Sequence, residues 1–258
     1  MTAAALVTVL KVVSALGSGL TAAKLYGMGL SSKYRVFFAY LIFRAISMVC
    51  VSFLNKASNP YFYFYVATQP IFWFFYIAMV WELFGLVLAR HQGFFTLGRR
   101  AMYVVSAVSV AASAISLIHK ITPQMPQSSV AVGLIVAIER GLDFSLAIFL
   151  ILMLFVLSWY TVPLSRNVVA HAVIYTLFFL AGGMSMILRT LFGLKNLDAV
   201  DTGVMVATCA CILAWFFLLS AKGEETPVKQ PWFAPEQEER ILIHLDALNA
   251  ALLKVAKK

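Results

Sequence analysis

Seven apolar stretches, each close to the length needed to cross a bilayer, decide what this chain can fold into. They run near residues 3–23, 36–54, 70–89, 101–118, 131–159, 168–188 and 203–221. About 20 apolar residues in helical conformation cover the hydrocarbon core. A segment surrounded by lipid must satisfy its own backbone hydrogen bonds, so each stretch is predicted to be a helix. The composition agrees: 62% of residues are hydrophobic and 12% charged, against about 25% charged in soluble domains. The predicted fold class is an all-α membrane protein, a seven-transmembrane helix bundle. Only the fifth stretch is overlong. The opening MTAAALVTVLK has no basic stretch ahead of its apolar run, so it reads as a first spanning helix rather than a leader.

A net charge of +9 invites a nucleic-acid reading, but the placement of the basic residues argues for topology instead. Predicted loops one, three and five hold Lys24, Lys33, Arg35, Arg90, Arg99, Arg100 and Arg166, whereas loops two, four and six hold Lys56, Lys120, Arg189 and Lys195. Basic residues concentrate on the cytoplasmic side of short loops. The imbalance places the amino terminus outside and the carboxyl terminus inside, with the lipid bilayer as the principal partner and no nucleic acid.

Six ionisable residues lie inside the apolar stretches: Lys11, Arg44, Glu82, Glu139, Arg140 and Asp143. Each costs roughly 2.5–3.5 kcal/mol on insertion scales, so such groups pair with one another or line a wet cavity, and they mark functional sites. Arg44 lies eight residues after Val36 on an ascending helix, and Glu82 eight residues before Arg90 on a descending one. At 1.5 Å per residue both sit roughly 12 Å above the inner boundary, which predicts an Arg44–Glu82 ion pair. Counting back from a Trp159 anchor puts Glu139 and Arg140 near the outer boundary and Asp143 inside it. Glu139 and Asp143 share a helix face, Arg140 and Asp143 can pair within the helix, and Lys11 is the predicted cross-helix partner of Asp143 or Glu139.

Aromatic and small residues fill in the rest of the bundle. The run Tyr61–Tyr65 ahead of the third stretch and the Trp159–Tyr160 pair after the fifth suit interfacial anchoring. Trp73, Tyr76 and Trp81 are candidates for lining a ligand site, against the plainer reading of core or lipid contact. Small patches (Ser14, Gly17, Ser18 and Thr21 in the first stretch, Ala107 and Ala111 in the fourth, Gly182 and Gly183 in the sixth) are predicted to let helices approach closely. Cys209 and Cys211 are about 200° apart on a helix and read, with Cys50, as small apolar filling rather than a disulfide framework.

Residues 1–222 thus form the predicted transmembrane domain. Residues 223–235, with Gly223, Pro227, Pro231 and Pro235, read as a linker. Residues 236–258 read as a cytoplasmic amphipathic helix. Its apolar residues Ile241, Leu245, Leu248, Leu252 and Val255 step by four and three, the spacing of a coiled-coil seam. So short a helix is marginal alone, which predicts homo-oligomerisation or docking on a cytoplasmic protein through the tail.

Familiar chemistries find no purchase. Asp201–Ala221 contains no lysine, so the retinal attachment of microbial rhodopsins is missing. The four histidines, His91, His119, His171 and His244, fall at predicted loops, a helix end or the tail, unlike the zinc cluster of ceramidase-type membrane hydrolases. There is no G-x-S-x-G elbow or phosphate loop. No catalytic residue, metal site or cofactor is assigned. The stretches ELFGLVLARHQGFFTLGRR and IERGLDFSLAIFLILMLFVLSWYTVPLSRN and the Glu-rich carboxyl-terminal helix resemble a set of bacterial seven-helix membrane proteins of uncharacterised activity. That resemblance implies topology and a bacterial inner-membrane location, and no activity. The expectation is a non-enzymatic, receptor-like or sensory bundle whose ionic core answers a ligand, lipid or proton and acts through the tail. The alternatives are a small-solute, ion or proton transporter and a passive assembly subunit. Transporters often carry broken helices, and the predicted spans contain no internal proline.

Overall fold

The computed structural model describes residues 3–54, 59–87, 103, 104, 107, 127–159, 164–192, 197–225 and 247. These form α1 (Ala3–Gly27), a short 3-10 turn (Leu30–Ser32), α2 (Arg35–Phe53), α3 (Asn59–Val87), α4 (Gln127–Trp159), α5 (Arg166–Phe192), α6 (Leu197–Leu218) and a single-turn α7 (Lys222–Glu225). No strand occurs among the described residues. Five of these helices are long and apolar enough to cross a membrane: α1 from Leu6, α2, α3, α5 to Ser185, and α6 from Ala199. The predicted fourth span and the tail residues Ile241, Leu245, Leu248, Leu252 and Val255 lie outside the described residues.

The six long helices neighbour one another in the closed order α1, α2, α3, α4, α5, α6 and back to α1, with α3 also touching α5. Their polarity is inside out relative to a soluble bundle. Leu16 and Leu20 on α1, Ile46 and Phe53 on α2, Phe74 on α3, Phe155 on α4 and Phe217 on α6 all face outward, each more than half exposed. The interior is aromatic and partly polar, and Tyr34, Phe37, Tyr40, Tyr175, Phe179 and Trp215 are its largest fully buried side chains. An outward apolar surface of this extent is stable in lipid and not in water.

Small residues close the helix contacts, as predicted for the first and sixth stretches. A Cβ on Gly17 would lie 3.0 Å from Ile212 Cγ2, and one on Gly183 would lie 3.1 Å from the Phe144 ring. Ser18 and Thr21 return their hydroxyls to the carbonyls of Ser14 and Gly17, each at 2.7 Å. The turn after α1 needs Gly29, whose φ of 72° is left-handed, a region open to glycine without steric cost.

Two features differ from the sequence expectation. The third helix starts at Asn59, eleven residues before the predicted stretch, so the Tyr61–Tyr65 run is part of the helix and Pro70 lies inside it. The ring of Pro70 removes one N–H from the backbone ladder. Two residues earlier, Thr68 Oγ1 donates to the Phe64 carbonyl at 2.8 Å. The expectation of proline-free spans is therefore wrong, because a hydropathy window trims the tyrosine-rich first half of the helix. The predicted linker also begins helically, with Gly223, Glu224 and Glu225 part of α7, in which Gly223 is buried and Glu225 exposed.

Candidate functional site

One cavity, of about 240 Å³, is walled by all six long helices, and five of them bring charged or polar side chains to it. Its walls carry Ser14 of α1, Arg44 of α2, Gln69, Phe72 and Tyr76 of α3, Glu139 and Asp143 of α4, Phe178 and Gly182 of α5, and Thr208 and Cys209 of α6. These positions fall near the middle of their helices, remote from either end of the bundle.

Arg44 is held but not neutralised. Its side chain is buried; Nη1 donates to Tyr40 Oη at 3.1 Å and Nη2 to Ser14 Oγ at 3.2 Å, while Nε has no hydrogen-bond partner. Tyr40 precedes Arg44 by one helical turn, so the first bond is local. Ser14 belongs to the small-residue patch that draws α1 against its neighbours. Both partners are neutral hydroxyls, and the positive charge is left uncompensated by them.

Asp143 is buried too, with 5% of its surface exposed. No ion pair joins it to Arg44 among the described residues. A methyl group on Gly182 would overlap its carboxylate, so the glycine makes the room in which the acid sits. Glu139, one turn earlier, is half-buried and lines the same cavity. A desolvated ion costs several kcal/mol even after relaxation. Among the described residues, Arg44 and Asp143 face one cavity without forming an ion pair.

The predicted Arg44–Glu82 pair does not form. Glu82 instead accepts from the first backbone N–H groups of α2, Val36 N at 2.9 Å and Phe37 N at 3.2 Å. It works as a helix cap supplied by a neighbouring helix, where unpaired N–H groups and the helix dipole favour an anion. Glu82 therefore stands level with residue 36, some 12 Å along α2 from Arg44 by helical rise. The depth count errs because α3 does not begin and end where its hydropathy does. α4 spans 33 residues, more than one bilayer crossing needs, and Glu139 and Asp143 line the same cavity as Arg44. Lys11, the predicted partner of Asp143 or Glu139, is half-buried on α1. The side chain of Arg140 lies outside the described residues. Of the three aromatic candidates only Tyr76 reaches the cavity. Trp73 is half-buried, and Trp81 packs edge-on against Tyr103 at 5.6 Å.

A second polar cluster closes one end of the bundle. Glu224 of α7 accepts from Lys33, from Tyr34 Oη at 2.5 Å and from Asn167 Nδ2 at 2.8 Å. Asn167, fully buried, also donates to the Ser220 carbonyl at 2.7 Å, and a Cβ on Gly223 would collide with it. Lys24 reaches the Phe216 carbonyl near the end of α6, with its ammonium 5.0 Å from the Phe216 ring centroid. Burial works against charge on Glu224, but the Lys33, Tyr34 and Asn167 bonds outweigh it and hold the carboxyl below its ordinary value. Burial, reinforced by the Glu224 carboxylate, pushes the Tyr34 hydroxyl well up. Set against protein-family models, curated proteins and solved structures, the chain matches none of them.

Between the two clusters runs a packed aromatic column. Sequence places His171 at a loop or helix end; it lies in α5, fully buried, with its ring 4.4 Å from Tyr34 and 4.8 Å from Phe37. Neither of its nitrogens has a hydrogen-bond partner. Phe37 meets Trp215 at 4.8 Å, Tyr175 meets Phe179 at 6.4 Å, Phe179 meets Tyr76 at 5.5 Å, and Tyr76 meets Tyr40 at 5.9 Å. Missed by sequence reasoning were Ser14 as a ligand of Arg44, and Tyr34, Asn167 and Glu224 as a cluster. The only signal for Tyr40 was its four-residue spacing before Arg44.

Proposed function

We propose that this chain is a non-enzymatic, receptor-like membrane bundle whose mid-depth cavity binds a small ligand and whose response leaves through the carboxyl-terminal segment. The observation that carries this reading is the buried Arg44 guanidinium, its Nε without a hydrogen-bond partner, facing the same cavity as the buried Asp143 carboxylate, with no ion pair between them among the described residues. Intramembrane charges kept at such cost line ligand or ion paths, and nothing in the cavity supplies a nucleophile with its base. Helix α2 offers a route from cavity to surface. It carries Arg44 at mid-length, its first turn is held by Glu82, and Lys33 and Tyr34 just ahead of it clasp Glu224 of α7. In this reading the bundle has seven spans in a bacterial inner membrane, the end bearing Lys33 and Glu224 is cytoplasmic, and residues 236–258 associate with a second copy or another protein.

A cysteine at Leu248 reports the tail. Crosslinked dimers whose yield changes in Asp143→Asn support coupling of the cavity to the tail, and monomers throughout refute self-association. Flux of protons or radiolabelled solutes into proteoliposomes, lost in Asp143→Asn, would overturn the receptor reading in favour of a carrier. One observation favours that second reading: Pro70 lies inside α3 beside Gln69 and Phe72, which line the cavity, and it removes one N–H from the backbone ladder there, a weak point of the kind that transporter helices open into breaks.

A further inference from the structure

We infer that the ligand of this cavity is a small zwitterion, with an anionic group bound by Arg44 and an ammonium group bound by Asp143. The inference rests on the ligand-binding reading above and names the chemical class of that ligand. Two oppositely charged side chains in a medium of low dielectric attract strongly, and the cheapest way to relieve both is to bring them together as a hydrogen-bonded pair. Here they do not meet. Arg44 spends two of its nitrogens on the hydroxyls of Tyr40 and Ser14, which fix the guanidinium plane, and Gly182 provides the recess for the Asp143 carboxylate. The two charges are thus positioned separately, from α2 and α4, across a space that both face.

A ligand with a single charge would satisfy one of them and leave the other buried. A molecule carrying both signs satisfies both and enters without net charge, which keeps its desolvation cost below that of an ion. Arginine suits a carboxylate because its guanidinium presents a planar fork of donors, and Nε is the donor still unused. Glu139 on the same wall adds negative potential at the ammonium end. Tyr76 adds an aromatic ring to the cavity wall, and aromatic rings attract cations. The volume, about 240 Å³, is enough for a short amino acid.

The experiment uses the full chain in lipid nanodiscs and a graded probe series: glycine, β-alanine, 4-aminobutyrate and 5-aminopentanoate, with methylamine and acetate as single-charge controls. Binding is read by calorimetry and by the ligand-induced rise in Tm. The expected result is binding confined to the zwitterions, with affinity peaking at one spacer length and falling on either side. Affinity should drop more than tenfold in Asp143→Asn and in Arg44→Gln. The spacer dependence is measured on the unaltered protein, so a variant that fails to fold does not remove the test. Methylamine or acetate binding as tightly as the best zwitterion would overturn the inference while leaving a ligand-binding cavity in place. No binding by any probe, with Leu248 crosslinking still altered by Asp143→Asn, would also overturn it and leave the receptor reading standing. No binding together with an unresponsive tail would overturn both.

Discussion

Removing the Glu82 carboxylate separates a cap from an ion pair. Glu82 accepts two backbone N–H bonds, at 2.9 and 3.2 Å, from the first turn of α2. Interhelical hydrogen bonds inside membrane bundles average about 0.6 kcal/mol, with a maximum near 1.7. Bonds to a charged acceptor reach about 1.5–3 kcal/mol elsewhere, and loss of a helix cap costs about 0.5–2 kcal/mol. Two bonds of intermediate worth put Glu82→Ala at a destabilisation of about 1–3 kcal/mol by these scales. Glu82→Gln keeps one acceptor oxygen and loses the charge, so it should cost roughly half as much. Equilibrium unfolding in mixed detergent and denaturant measures both, with Arg166→Gln, on an exposed side chain, as the neutral control. A double-mutant cycle with Arg44→Gln sharpens the result. Distant sites with no shared partner add to within about 0.3–0.5 kcal/mol, so the cycle should close near zero. A coupling energy above about 1 kcal/mol, the mark of groups in contact, would refute the cap and restore the pair that depth counting predicts. Equal stability of wild type, Glu82→Gln and Glu82→Ala would refute both.

Three further outcomes follow from the geometry. Gly182→Ala forces a methyl into the Asp143 carboxylate and should destabilise by about 1–3 kcal/mol as an overpacking change, whereas Gly203→Ala, with open space around it, should be neutral or stabilising by up to about 1 kcal/mol; unfolding of the pair in parallel checks the contrast. Trp215→Ala removes a fully buried indole from the aromatic column and should cost about 3–5 kcal/mol, read in the same assay. The Glu224 cluster should be acid-sensitive. Because the folded carboxyl titrates below its ordinary value of 4.5, its stabilisation is complete above that pH and fades as the pH falls through the depressed folded value. The stability gap between wild type and Glu224→Gln should therefore be present at pH 7 and vanish in strong acid, and a gap independent of pH would contradict the Lys33 and Tyr34 bonds.

Element existence was legible in the sequence because lipid imposes one strong rule, that a spanning segment be apolar and helical. All six long helices of the described residues were anticipated. Their ends were not. Tyrosine and glutamine lower the hydropathy of the first half of α3 without weakening its helicity, and α4 continues past any single bilayer crossing. Since depth was reckoned from those ends, the register between helices was wrong, and with it the Arg44–Glu82 pair. Arg44, Glu139 and Asp143 were nonetheless drawn to one place, because an ionisable group in an apolar helix has few destinations other than the bundle interior. Glu82 found another: the exposed N–H groups of a helix start carry partial positive charge, and sequence alone does not say which neighbouring acid will reach them. The Lys33, Tyr34, Asn167 and Glu224 cluster escaped notice for a different reason. Its members come from three separate regions of the chain, and each is ordinary for the end of a membrane helix.

The three polar features share α2. Its first turn is fixed by Glu82, the residues just ahead of it hold Glu224 of α7, and its midpoint places Arg44 against the cavity. A helix transmits displacement along its axis with little loss, because every backbone bond runs in that direction. A ligand that pulls the Arg44 guanidinium by a fraction of an ångström must either bend α2, tilt it, or shift its first turn against Glu82 and Tyr34. Bending is opposed by the close aromatic packing of Phe37 and Tyr40, both fully buried. Tilt or translation instead loads the Tyr34–Glu224 bond, whose partner is a single helical turn anchored by Asn167 and Ser220. A one-turn element has little stability of its own, so it is the weakest member of that chain of contacts and the one that should yield first.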